Sequence, residues 1–199
     1  MNLKNDWINM QIFYIKNALL ININDLPITK IEEKNGHCFL YNNDDIVGVN
    51  IFNLPTNFSF KPGLIYPTQE LIDYIQKATK LTFVKEVNFV VGEVVSCEDI
   101  PESHLHKCVV SDGHTNYDIV CGASNVKARI KIVMAKANTI MPNGKRLVPG
   151  KLMGYASNGM ICSARELKIA TSKEEHGIMI LDNSYTIGEE FTKVYTNLK

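Results

Sequence analysis

The chain has 199 residues, enough for one large domain or two small ones, and its 21 Lys+Arg balance 21 Asp+Glu to a formal charge of zero. Hydrophobic residues supply 45% and mean hydropathy is -0.06, which excludes disorder; the apolar run from Ile12 is broken by Lys16 and Asn17, short of the roughly 20 residues of a membrane span. That run has neither a basic leader nor a small-residue cleavage site, and five cysteines without a Cys-x-x-Cys pair point to reduced thiols in a cytoplasmic protein.

Met10 precedes the first convincing strand, which leaves open whether residues 1–9 are an extension. Phe13 to Ile23 is apolar and β-prone, and Gly36–Leu40 and Ile46–Phe52 flank Asn42-Asn43-Asp44-Asp45, a hairpin turn. Pro62-Gly63 breaks the chain; Thr68 then caps a helix with Leu71, Ile72, Ile75 and Ala78 on its apolar face. After about residue 85 the pattern changes to short strands: Asn88–Cys97, Lys107–Asp112, Tyr117–Cys121 and Lys131–Lys136. Turns at Pro101, Asp112-Gly113 and Gly122 through Asn125 separate them, and Pro142-Asn143-Gly144 and Pro149-Gly150 mark two more. Strands at this spacing suit a small barrel. Ser163-Ala164-Arg165-Glu166 has capping-box spacing and predicts a short helix.

Neutral totals hide segregation. Between Asn125 and Lys168 stand nine cations and one acid, Glu166, whereas Glu86 to Ser124 holds seven acids and Lys107 alone. Such a basic block attracts polyanions, unless its charges pair with the acidic block before it. Two catalytic readings are weaker. Ser124 and Lys127 fit Ser-x-x-Lys, in which an amine activates a hydroxyl, but Ser-Asp-Asn and Lys-Thr-Gly partners are missing. His104, His106 and Cys108 alternate as zinc ligands on a strand would, with Cys97 or His114 as a fourth, yet the spacing fits no common finger or ribbon. No catalytic residue, metal or cofactor is therefore assigned.

Asn88-Phe89-Val90-Val91-Gly92-Glu93-Val94 resembles the opening strand of the tRNA-binding domain that also begins the β subunit of bacterial phenylalanyl-tRNA synthetase. Ile119-Val120-Cys121-Gly122-Ala123-Ser124-Asn125-Val126 is similar to that family's IVCGAxNV segment, and Gly154 through Ser163 to its GxxSxGMxCS stretch. The tail, with Gly177-Ile178-Met179-Ile180-Leu181 and Gly188-Glu189-Glu190-Phe191, resembles the family's usual close. Two departures stand out: Ile100-Pro101 where His-Pro is usual, and Arg129 where glycine is common.

The resemblance implies a mainly β protein: a five-stranded OB-fold barrel over 86–199 that grips tRNA by shape and backbone, preceded by a small α+β accessory domain over 1–85. The expected RNA-binding residues are Asn125, Lys127, Arg129, Lys131, Lys136, Lys145, Arg146, Lys151, Ser157, Gly159, Met160 and Arg165. Cations would neutralise phosphates, Asn125 and Ser157 would bond phosphate or 2′-OH, and a Ser157–Met160 loop would approach the backbone closely. Expected partners are tRNA, an aminoacyl-tRNA synthetase and a second copy of the chain, with no membrane. The alternative is a peptide-binding OB protein resembling export chaperones, with the Ser/Lys hydrolase or zinc enzyme last. Replacing Lys127, Arg129 and Lys131 together by glutamate is expected to weaken tRNA binding and leave folding intact.

Overall fold

The computed structural model describes residues 10–24, 26–83, 87–169 and 177–195. The stretch 1–9 and the expected boundary after residue 85 lie outside the described residues. The chain forms two compact units, one over 1–86 joined by 195–199 and one over 87–194.

In the first unit, β1 (Gln11–Ile15), β2 (Ala18–Asn22), β3 (Lys30–Lys34), β4 (His37–Asn42), β5 (Asp45–Phe52) and β6 (Gly63–Ile65) build an antiparallel sheet in the order β3-β4-β5-β2-β1-β6. The apolar, β-prone run 13–23 is a hairpin of β1 and β2. Lys16 and Asn17 both take positive φ, as a two-residue I′ turn requires. Asn35-Gly36 does the same and adds β3, whose charged sequence carries no strand signal. Glu32 on β3 pairs with Lys30 and Lys34, and these hydrogen bonds lower its pKa to about 2.

Period-two alternation sends Ile12, Leu19, Ile21, Val49 and Ile51 to one core. Helix α1 (Gln69–Thr79) covers it with Leu71, Ile72 and Ile75. Thr68 caps the helix as expected, its hydroxyl accepting from the Leu71 N–H at 3.3 Å. Left-handed Lys80 ends it, its N–H donating to the Gln76 carbonyl.

The second unit is a five-stranded barrel. Its strands β7 (Phe89–Asp99), β8 (His106–Ser111), β9 (Asn116–Cys121) and β10 (Lys131–Lys136) match the four expected runs. After them come β11 (Gly150–Leu152), β12 (Tyr155–Ser157), β13 (Gly159–Ile161) and β14 (Ile180–Leu181). The sheet order is β13-β10-β7-β8-β9, with β14 also on β10. Long β7 serves two neighbours: its first half pairs with β10 and its second with β8, across a bulge between Val94 and Ser96. The ring is drawn together where β12 and β13 reach β9, the Asn158 N–H donating to the Asp118 carbonyl at 2.8 Å. Val90, Val94, Cys108, Val110, Ile119, Ile132, Met134 and Ile161 fill the interior. The tail lies along β7, with the Phe191 N–H on the Phe89 carbonyl at 2.9 Å.

Two local expectations change. Ser163 and Glu166 make the reciprocal capping-box bonds at 2.8 and 3.2 Å, but the segment is one turn rather than a helix. Left-handed Lys168 closes it at once, its N–H reaching Arg165 and the next N–H reaching Ala164. Gly150, expected in a turn, opens β11. Among the described residues no helix is long and apolar enough to cross a membrane.

Candidate nucleic-acid interface

The basic block separates into cations that work inside the fold and cations that do not. Lys131 Nζ donates to the carbonyls of Tyr185 at 2.6 Å and Asn183 at 3.3 Å, fastening the 182–185 turn to β10. Lys136 meets buried Asp112 at 3.1 Å and lies 5.9 Å from the Tyr117 ring centroid. Burial works to raise the Asp112 pKa. The Thr115 and His114 N–H groups, Lys136 and the Tyr117 hydroxyl outweigh it and hold the carboxyl well below the usual range.

Lys127 and Arg129, on the loop after β9, are exposed, as are Lys145 in the turn after β10, Lys151 on β11 and Arg165 in the turn after β13. Arg146, in the same turn as Lys145, is half-buried. Among the described residues no ion pair joins any of these six to an acid. Arg129 has φ 66°, the left-handed conformation that glycine adopts without strain, while its N–H docks on the Val94 carbonyl at 2.7 Å.

The polar residues expected to touch RNA hold the barrel. Asn125 clasps the 177–178 segment, its amide donating to the Ile178 carbonyl at 3.0 Å and accepting from the Ile178 N–H at 2.9 Å. A Cβ on Gly177 would collide with that amide. Ser157 Oγ accepts from the Val120 N–H at 3.2 Å and seats β12 on β9. The expected Ser157–Met160 loop is instead the end of β12 and the start of β13. Gly159 is buried: a Cβ there would stand 3.0 Å from the Ala135 carbonyl and 3.1 Å from Ile119 Cδ1. Half-buried Met160 faces Ala135 across the ladder and lines a groove of about 400 Å³ with Val120, Ala123, Glu166 and Ile178.

The glutamate triple variant is corrected by this geometry. At Lys131 a carboxylate would face the two carbonyls that the ammonium now binds, so the fold would suffer along with the charge. Zinc ligation finds no geometry either. His106 Nδ1 lies 2.9 Å from Asp99, Cys108 sits 3.7 Å from Cys97 sulfur to sulfur, and His104 lies beside Gly122. Among the described residues no three His, Cys, Asp or Glu side chains gather as ligands. Burial pushes the Cys108 and Cys162 thiols far up, away from reactive thiolate. Ser124 is exposed in its turn, with Lys127 exposed on the same loop.

Residues not foreseen are Val148, Leu152, Met153 and Tyr155, which stand exposed on and before the β11–β12 ribbon. Four large apolar residues within eight positions of a basic stretch are the signal that pointed to them.

Residues 89–190 match the family model described as "Putative tRNA binding domain". A Bacillus subtilis relative named "Putative tRNA-binding protein YtpR" is 33% identical, over 92% of this chain and 99% of its own length. A Mycoplasma pneumoniae relative named "Uncharacterized protein MG449 homolog" is 34% identical, over 83% of this chain and 76% of its own. The phenylalanine–tRNA ligase β subunit of Streptococcus pneumoniae is 48% identical over 105 residues, which is 51% of this chain and 13% of that subunit. On the family match and the near full-length relative, the chain belongs to the tRNA-binding domain family.

Proposed function

We propose that this protein binds tRNA through the barrel without catalysing a reaction, gripping shape and phosphate backbone rather than sequence. The observation that carries the reading is the set of exposed cations Lys127, Arg129, Lys145, Lys151 and Arg165, together with half-buried Arg146, on a barrel of this family. Each can displace counterions from a phosphate. Gly159 and Met160 act beside them, Gly159 by letting β13 lie close under β9 and Met160 as an apolar groove wall against a sugar or base. Asn125, Lys131, Lys136 and Ser157 support the surface from within.

The barrel over 86–199 is the binding module and 1–85 an accessory domain. The cytoplasm is the compartment where such a partner is met. Likeness to a synthetase subunit supports an aminoacyl-tRNA synthetase as a further partner, and self-association is the simplest assembly that would double the cationic surface. Titration of bulk tRNA at several salt concentrations tests the reading, with sedimentation of the complex giving its stoichiometry. Tight, salt-sensitive binding is expected. No binding at low salt would overturn it and favour a peptide ligand.

A further inference from the structure

Ribbon β11–β12 carries apolar side chains that the barrel does not use. Val148 is 71% exposed, Leu152 46%, Met153 58% and Tyr155 37%. Leu152 pairs directly with Tyr155 and Lys151 with Ala156, so Leu152 and Tyr155 share one face and Lys151 takes the other. At the tip Met153 and Gly154 have φ 49° and 84°, as a tight I′ turn requires. The base of the ribbon is anchored to β9 through Ser157 and Asn158. The ribbon therefore presents a small apolar platform to solvent. Scattered single apolar residues mean little, but a cluster marks a contact surface.

The charge around the platform selects the occupant. From Ala137 to Arg165 the sequence has no acid, while Lys145, Arg146, Lys151 and Arg165 lie within it. Lys107 on β8 lies near Tyr155, and it pairs with Glu98 at 3.0 Å. Acids are near as well, Glu98 beside that lysine and Asp118 on the strand that anchors the ribbon, but the ribbon and its flanks carry cations alone. RNA offers both requirements at once, phosphates for the cations and flat, uncharged base faces for the platform.

We propose that the β11–β12 ribbon is a stacking platform for an unpaired base of the bound RNA, with Tyr155 and Leu152 against the base face and Met153 at the tip against the neighbouring nucleotide. Lys145, Arg146 and Lys151 hold the flanking phosphates. The site prefers RNA with unstacked bases over a continuous duplex, a preference that cations alone do not give. It rests on the tRNA-binding reading and adds the element of RNA that is held.

The test uses the full chain with Leu152→Ala plus Tyr155→Ala, and separately Tyr155→Phe, against bulk tRNA and a fully paired RNA duplex. Stacking is worth roughly 5- to 150-fold in affinity per base. The double variant is expected to lose that much toward tRNA at unchanged salt slope, to bind duplex as before, and Tyr155→Phe to bind normally. If the wild type binds tRNA and the folded double variant binds it equally, the platform is overturned and tRNA binding stands. If the double variant alters self-association but not tRNA affinity, the ribbon is a protein contact and the proposal fails. If the wild type does not bind tRNA, both readings fall together.

Discussion

Asn125 separates a residue that touches RNA from one that shapes the surface RNA meets. Its amide makes two hydrogen bonds to Ile178, at 3.0 and 2.9 Å, and Ile178 is only 7% exposed. In Asn125→Ala both Ile178 backbone groups lose their side-chain partner. At about 1–3 kcal/mol for each unsatisfied group, the barrel should lose about 2–6 kcal/mol. For a unit near 100 residues that lowers the midpoint by about 10–30 °C. Asn125→Asp keeps the acceptor but turns a carboxylate toward the Ile178 carbonyl, so its folded pKa should rise above the unfolded value of about 3.9. Its stability is then fully present below about pH 4 and lost as pH climbs through the folded pKa. Thermal melts across pH, with tRNA titration well below the transition, check both variants. The expected outcome is a large fall in midpoint with tRNA affinity within about twofold of wild type. An unchanged midpoint with a tenfold loss of affinity would show that Asn125 contacts RNA instead.

Three further outcomes follow from the geometry. Because the Asp112 pKa is depressed in the fold, its contribution to stability is present above the unfolded value of about 3.9 and lost as pH falls below it; Asp112→Asn should flatten that acid limb in urea melts. Lys151→Ala should reduce the log–log salt slope for tRNA by about 0.7–0.9 at unchanged stability, whereas Lys131→Ala should lower the melting midpoint and leave the slope alone. Gly159→Ala forces a methyl to within 3.0 Å of the Ala135 carbonyl and 3.1 Å of Ile119, and should cost about 1–3 kcal/mol in denaturant unfolding.

The long strands of the barrel were legible because apolar runs stand between strong turn signals, and β7 to β10 fall where those runs lie. Helix α1 was legible from its cap and apolar spacing. Two hairpins were not, for opposite reasons. Lys16-Asn17 sits within an apolar run that hides the turn, and β3 is strung from Lys and Glu, whose strand is dictated by pairing with β4 rather than by propensity. The Asn35-Gly36 dipeptide was the available signal for β3. At the candidate site, sequence marked the basic residues but could not divide them. Lys131 and Lys127 read alike in a charge count, and only folding puts the first on the carbonyls of Asn183 and Tyr185, more than fifty positions away. Asn125 is similar, since its partner Ile178 is a long-range contact that no local spacing reveals.

The most direct measurement is equilibrium titration of the full chain with bulk tRNA from low to moderate salt, with duplex DNA as competitor. The expected result is an affinity that falls steeply with salt, by a slope of about 0.7–0.9 per phosphate contacted, with DNA competing poorly. Undetectable binding at low salt would contradict tRNA binding, and equal competition by duplex DNA would reduce the surface to a general polyanion site.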